Sequence, residues 1–376
     1  MLWDDIIMNC PVCSSDNTEI VYSDKNSCIT NIKFSLPLTI CICNQCSFVY
    51  NAVSHKDEYS KAITNAYTEF KKNDFFSFPN KSAENMRTLN MILKHLPEKK
   101  DINILEIGSN RGDMLFMIKE KIPNANILGI DPTKYNELSV PTIHAFYDCD
   151  MFSKAYDLVI LQHVLEHMEN PLTTIQSTKN ILKDNGLLYV EVPDIMNCLQ
   201  YCVEDFTLEH VNYFSIQTLS NALQGFDIID SDQYSFLRTT SKPVKQKHKH
   251  NFSDINRIKK LFKIYNENKS NLINEIKKSS YRGERIIFYG ISYYFISIFT
   301  RIKEFLNKEK CFYYDDNFCE PNEHSFHLPR VNSLNKGDLI IVCSANFRIQ
   351  EKIEQKLYKY KGIKILRPWF SYTTVK

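Results

Sequence analysis

The stretch over residues 102–131, INILEIGSNRGDML followed by a helical run and then ILGID, decides the fold. An apolar strand runs into Glu106, Ile107 and Gly108, a tight loop through Ser109 and Asn110 reaches Gly112, and a helix follows. A second apolar strand closes on Asp131. Glycines at 108 and 112 let a ligand lie against bare backbone, and the first turn of the new helix offers unpaired N–H groups. An acid at the next strand end can accept hydrogen bonds from both hydroxyls of a ribose. The pattern predicts a nucleotide-cofactor crevice lined by Glu106, Gly108, Ser109, Asn110, Gly112 and Asp131. It is not the dinucleotide fingerprint, because E-x-G-S-N-x-G lacks the spacing of G-x-G-x-x-G.

Downstream, strand and helix signals alternate, with strands expected at 102–107, 127–130, 141–146, 155–161 and 186–192. Such alternation specifies an α/β, doubly wound, Rossmann-like sheet. The fourth strand ends in LQHVLEHMENP, residues 161–171, which sets Gln162 and His163 at its carboxyl end facing the cofactor and His167 one turn later. The fifth strand, LLYVEVPD, leads to DFTLEHVNYFS at 205–215. There Glu209 and His210 stand side by side before a Ser215 helix cap, where a loop would cross the mouth of the cleft, and are expected to be catalytic.

Ahead of this core lie CPVC, with Cys10 and Cys13, and CNQC, with Cys43 and Cys46. Two such knuckles let four thiolates converge on one zinc ion in a closed, structural site, with Cys41 near enough to compete as a ligand. Between the knuckles and the core, 55–99 reads as a helical cap rich in aromatic residues. Its Tyr67 could bring a phenol to a substrate oxygen. Beyond the core, 238–250 reads RTTSKPVKQKHKH, a cationic stretch expected to be an exposed linker. An amphipathic helix follows, with Ile255, Ile258, Phe262 and Tyr265 on one face. A second α/β unit begins at Arg285, with strands RIIFYG, CFYYDD ending at Asp315 and Asp316, and DLIIVCS, then a helix from Phe347. The expected domains are a zinc module at 1–54, the cap at 55–99, the core at 100–237, linker and helix at 238–280, and a smaller Rossmann-like domain at 281–376.

Composition narrows the partners. A chain of 376 residues suggests two or three domains. With 46 basic and 44 acidic residues the net charge is +2, which provides no global field for nucleic acid. No apolar run approaches membrane-spanning length and no basic-then-apolar leader opens the sequence. The expectation is a cytoplasmic monomer with a small-molecule substrate and neither nucleic acid nor membrane as partner.

The stretch from Glu106 to Asp131 resembles motif I and the following acidic strand of class I S-adenosylmethionine-dependent methyltransferases, which implies S-adenosylmethionine as cofactor. The whole order resembles the zinc-containing sugar C-methyltransferases that act on nucleotide-linked keto-deoxysugars. The motifs that carry this are CPVC with PLTICICNQC, EIGSNRG, VLEHMENP, EVPD and LEHVNYFS. The resemblance implies that Glu209 and His210 are the catalytic pair and that His167 is the histidine after the fourth strand. It implies C-methylation of a nucleotide-linked sugar in surface-glycan or secondary-metabolite biosynthesis. The chain departs from that family at Thr207, where a tyrosine is usual, and in the C-terminal turn GISYYF, where G-A-x-x-K-G is usual. O-methylation of a sugar, RNA methylation and an inactive zinc-containing binding protein are the alternatives.

Overall fold

A computed structural model describes residues 9–28, 35–52, 61, 79–97, 101–135, 140–201, 206–234, 236–244, 254–290, 293–315, 327–344, 347–367 and 371–374. They divide between two compact units, one of 1–20, 39–195 and 209–255 and one of 21–38, 196–208 and 256–376. In chain order the elements begin with β1 (Thr18–Cys28), β2 (Ser35–Cys43), β3 (Val49–Asn51), α1 (Ala83–His95), β4 (Asn103–Ile107), α2 (Asp113–Lys121), β5 (Asn126–Ile130), β6 (Thr142–Ile143) and β7 (Tyr156–Gln162). They continue with α3 (Pro171–Ile181), β8 (Leu182–Pro193), α4 (Ile195–Tyr201), β9 (Asn212–Tyr213), α5 (Ile216–Ala222), β10 (Phe226–Asp232) and β11 (Phe236–Pro243). Last come α6 (Ile255–Tyr281), β12 (Ile286–Tyr289), α7 (Tyr293–Ile302), β13 (Cys311–Tyr314), β14 (Leu339–Val342), α8 (Phe347–Leu357), β15 (Lys364–Arg367) and β16 (Ser371–Thr374).

The first unit is built on a seven-stranded sheet of order β10-β11-β8-β7-β4-β5-β6. Its central strands are apolar at successive positions because both faces are covered. Leu105, Ile107, Val159, Leu161, Leu188 and Val190 point to one face and pack with Ile175 of α3 and Leu219 of α5. Ile104, Leu158, Ile160, Leu187 and Tyr189 point to the other and pack with Leu89 and Ile92 of α1 and Leu115 and Ile118 of α2. From β4 the chain steps outward to β5 and β6, then returns to β7 and β8 on the opposite side. The strand order therefore reverses between β4 and β7, and a crevice opens at their carboxyl ends.

Residues 238–243, expected as exposed linker, belong instead to β11, which pairs antiparallel with both β8 and β10. Arg238, Thr239, Thr240 and Ser241 are all buried, so the core extends past the boundary expected at 237. The strand expected at 141–146 is reduced to the two residues of β6.

A second sheet has the order β1-β2-β3-β9. Within the first unit, Cys41 lies opposite Tyr50 and Ile42 opposite Val49, while Val49 and Tyr50 pair on their other edge with Tyr213 and Asn212. The segment that follows Cys43 and the segment that follows His210 are thus strands of one sheet.

In the second unit, α6 buries Ile258, Phe262 and Tyr265 on one face, as its periodicity predicts. The sheet β13-β12-β14-β15-β16 is parallel except for β16. Gly290 closes β12 at φ 98°, where an added Cβ would lie 2.8 Å from the Cys343 carbonyl oxygen. Among the described residues no helix is long and apolar enough to cross a membrane.

Candidate active site

The loop after β4 has the conformation its glycines permit. Gly108, Asn110 and Gly112 all have positive φ, and a Cβ at Gly108 would lie 2.3 Å from a Val164 methyl. Gly108 and Ser109 donate their N–H groups to the Ile130 carbonyl, which closes the loop over the end of β5. Asp131 is buried and latches the loop: Oδ2 accepts from the Asn110 N–H at 2.9 Å and Oδ1 from the Thr133 N–H at 2.8 Å. Each carboxylate oxygen keeps a second lone pair, so the acid can serve the loop and a ribose together. Glu106 is 4% exposed at the end of β4. Its Oε2 and the Ser109 hydroxyl have no hydrogen-bond partner among the described residues. Burial, with Asp113 and Asp131 nearby, holds the Glu106 carboxyl well above the usual range. Buried acceptors and a donor left unsatisfied around a bare-backbone loop fit a polar, ribosyl cofactor such as S-adenosylmethionine.

At the end of β7, the Gln162 amide donates to Asn85 Oδ1 at 3.3 Å. His163 takes a left-handed conformation, φ 54°, which turns its ring between two buried acids. Nδ1 lies 3.3 Å from Glu166 Oε1 and Nε2 lies 3.2 Å from Glu191 Oε1. Burial opposes its charge, but these two carboxylates outweigh it and push the imidazole up to about 10. His163 is a standing cation rather than a proton shuttle at neutral pH.

The short 3-10 turn Leu165–His167 follows. His167 Nδ1 lies 2.9 Å from the Glu209 carbonyl oxygen, which can only accept, so the proton sits on Nδ1 and Nε2 presents its lone pair. Burial, offset by Glu166 and reinforced by His210, lowers this imidazole below the ordinary histidine range. Its ring meets that of His210 edge-on, with centroids 4.9 Å apart. The loop carrying Glu209 and His210 is fastened through backbone carbonyls, by one backbone and two side-chain donors. The Val211 N–H donates to the Glu166 carbonyl at 2.7 Å, the Asn212 amide donates to the Leu165 and Met168 carbonyls, and the Tyr213 hydroxyl donates to the His210 carbonyl. Ser215 caps α5 through a reciprocal pair of bonds with Thr218. The structure therefore brings together His167, Glu209 and His210, with Gln162 and His163 at the end of the same strand. Tyr67 lies outside the described residues.

Sequence reasoning missed three participants. Glu166, 2% exposed, sits 4.0 Å from His167 Nε2. Its only sequence signal is adjacency to His167. Glu191 and Arg238 form the layer behind. Glu191 accepts from Thr88 at 2.6 Å, Tyr189 at 2.7 Å and Arg238 Nε at 3.1 Å. Burial would raise its carboxyl, but His163, Arg238 and Thr88 hold it at about 2. Arg238 also reaches Glu84 at 2.8 Å and Asp232 at 3.3 Å.

The cysteine module closes as the two knuckles predict. Ser14 and Ser47, each directly after the second cysteine of its knuckle, have φ 59° and 63°. Each donates its N–H to the carbonyl of the first cysteine, Cys10 or Cys43. The two turns are thus the same motif used twice. Cys10 and Cys46 sulfurs are 3.5 Å apart, as are those of Cys13 and Cys43, and all four ligand atoms lie within 4.8 Å of one another. Sulfurs bonded at about 2.3 Å to one tetrahedral zinc stand about 3.8 Å apart, so the four could hold that ion. Cys41 is buried in β2 and is not one of the converging sulfurs.

Comparison with known proteins bears on the first unit. The family described as "Methyltransferase domain" matches residues 81–229. A curated tRNA U34 carboxymethyltransferase of Desulfotalea psychrophila is 26% identical over 204 residues, covering 48% of this chain and 63% of that protein. A ubiquinone biosynthesis O-methyltransferase of Glaesserella parasuis is 43% identical over 42 residues, covering 11% of this chain and 18% of that protein. The chain thus spans less than two thirds of the length of either curated relative. A solved S-adenosylmethionine-dependent methyltransferase from Aquifex aeolicus is similar at 13% identity and a TM-score of 0.34, over 42% of this chain and 89% of that one.

Proposed function

We propose that residues 81–229, which match the family described as "Methyltransferase domain", work as a class I S-adenosylmethionine-dependent methyltransferase and that the chain methylates a carbon of a nucleotide-linked keto-deoxysugar. Glu106, Gly108, Ser109, Asn110 and Gly112 hold the cofactor, Asp131 takes its ribose, and Gln162 and His163 border it from the next strand. When bound, S-adenosylmethionine supplies an electrophilic methyl group on a sulfonium. A carbon accepts that methyl only after losing a proton beside a carbonyl, so the protein must supply a base and an oxyanion partner. His210 removes the proton and Glu209 orients and charges its imidazole. His167, whose Nδ1 lies on the Glu209 carbonyl, or Tyr67 stabilises the enolate oxygen. Zinc on Cys10, Cys13, Cys43 and Cys46 is structural. The observation that carries this reading is the packing of His210 against His167 at the carboxyl end of the cofactor sheet, on a loop fastened by backbone bonds.

The test is deuterium exchange. In heavy water, with a non-transferable cofactor analogue bound, the protein should exchange deuterium into a nucleotide-linked keto-sugar beside its carbonyl. His210→Ala should abolish the exchange and lower turnover by about two to four powers of ten. Product formed without exchange, by an active His210→Ala variant, would shift the reading to O-methylation with another base. The tRNA-directed name of the Desulfotalea psychrophila relative favours a second reading, methylation of RNA. Incubation with total tRNA and methyl-labelled cofactor distinguishes the two: label in tRNA and none in nucleotide sugars would replace the sugar with RNA.

A further inference from the structure

Glu166, His167 and His210 each bring a ligand atom to within 4.8 Å of the other two. They come from two segments locked together independently of these side chains' tips, by the Val211 N–H on the Glu166 carbonyl and the Asn212 amide on the Leu165 and Met168 carbonyls. The His167 Nδ1 contact with a backbone carbonyl is the outer-shell bond that orients a metal-binding imidazole and presents Nε2. Glu166 is 2% exposed, and its Oε2 has no hydrogen-bond partner among the described residues. Its Oε1 is met by His163 at 3.3 Å, which leaves Oε2 as the buried oxygen with a lone pair open to a metal ion. Two imidazoles and one carboxylate form the donor set of catalytic zinc sites and of the iron(II) facial triad. Bonds of about 2.0–2.2 Å set the ligand atoms of one tetrahedral ion about 3.3–3.6 Å apart, so capture requires the side chains to close by as much as about 1.5 Å.

We infer that Glu166, His167 and His210 bind a divalent transition-metal ion at a site separate from the four cysteines. The ion takes the imidazole lone pair of His210, so metal occupancy and proton abstraction by that residue exclude each other. Binding itself holds whatever the substrate is.

The experiment uses the full chain, stripped of metal and titrated with cobalt(II) alone. Cobalt on cysteines shows thiolate-to-cobalt charge transfer, whereas cobalt on histidine and carboxylate shows only ligand-field bands. The wild type should bind an equivalent without the charge-transfer signature. His167→Ala and His210→Ala should each lose that equivalent while any charge-transfer band stays unchanged, which also reports that the fold is intact. Glu166→Gln should weaken it by about 10–100-fold. Absence of such an equivalent in the wild type, or its survival in both histidine variants, overturns the inference. Neither outcome bears on the deuterium-exchange test, which contains no added metal.

Discussion

Replacing Arg238 by methionine tests the part of the fold that composition conceals. The side chain is fully buried, and its guanidinium faces Glu191, Glu84, Asp232 and Thr88. Glu84 and Asp232 keep 30% and 28% of their side chains exposed and can rehydrate when the cation is removed. Glu191, 1% exposed, cannot. Breaking a buried ion pair from one side costs about 3–5 kcal/mol. Thr88, Tyr189 and His163 remain on Glu191, so about 3 kcal/mol, the lower end, is expected. The loss also has a pH signature. Glu191 is held at about 2, below its unfolded value, so its ionised form contributes stability that is present above about pH 4.5 and lost as pH falls toward about 2. Removing Arg238 raises the folded value, and the gap between variant and wild type narrows through that window. Amide hydrogen exchange of β8 and β11 against pH and urea reads the effect where it arises. A deficit under about 1 kcal/mol at pH 7, or one that does not shrink with acid, would refute the assignment of β11 stability to this network. Arg238→Lys should recover part of the loss, because one ammonium cannot span four acceptors.

Asp131→Ala should weaken S-adenosylmethionine binding by about 1.5–3 kcal/mol in calorimetry, and unchanged affinity would show that the crevice has been misplaced. Gly108→Ala demands a left-handed alanine whose Cβ lies 2.3 Å from Val164, so thermal unfolding should reveal a loss of about 2–4 kcal/mol. Purified protein should contain about one tightly held zinc per chain, and Cys10→Ser should lose it and turn insoluble before cofactor affinity falls. Folded protein free of zinc by metal analysis would remove that expectation.

The central strands were legible because strands covered on both faces are apolar at every position, and the Gly108 to Gly112 loop because only certain residues tolerate its backbone. β11 was not. Besides Leu237 its buried residues are Arg238, Thr239, Thr240 and Ser241: the partners of Arg238 and Ser241 lie on β8 and α1 and are invisible to local pattern, and the Thr239 and Thr240 hydroxyls have no hydrogen-bond partner among the described residues. The Phe-Leu opening and paired threonines were a strand signal that the cationic stretch after them masked. Glu166 was hidden for a related reason. Nothing in VLEH says that a 3-10 turn, rather than an α-helix, will put the glutamate on the histidines' side.

The shared edge of β3 carries one more consequence. Phe48, two residues past the second knuckle, packs edge-on against Phe214, directly after β9, with centroids 5.3 Å apart and both rings fully buried. The knuckle and the His210 loop therefore order or loosen as one cooperative body. With zinc on the cysteines, whatever restrains residues 209–213 must tighten the ion by the same factor by which the ion favours the restrained loop, because coupling between two sites is reciprocal. Zinc exchange should slow when substrate fills the cleft, which makes the metal's departure rate a reporter of events at a histidine it never touches.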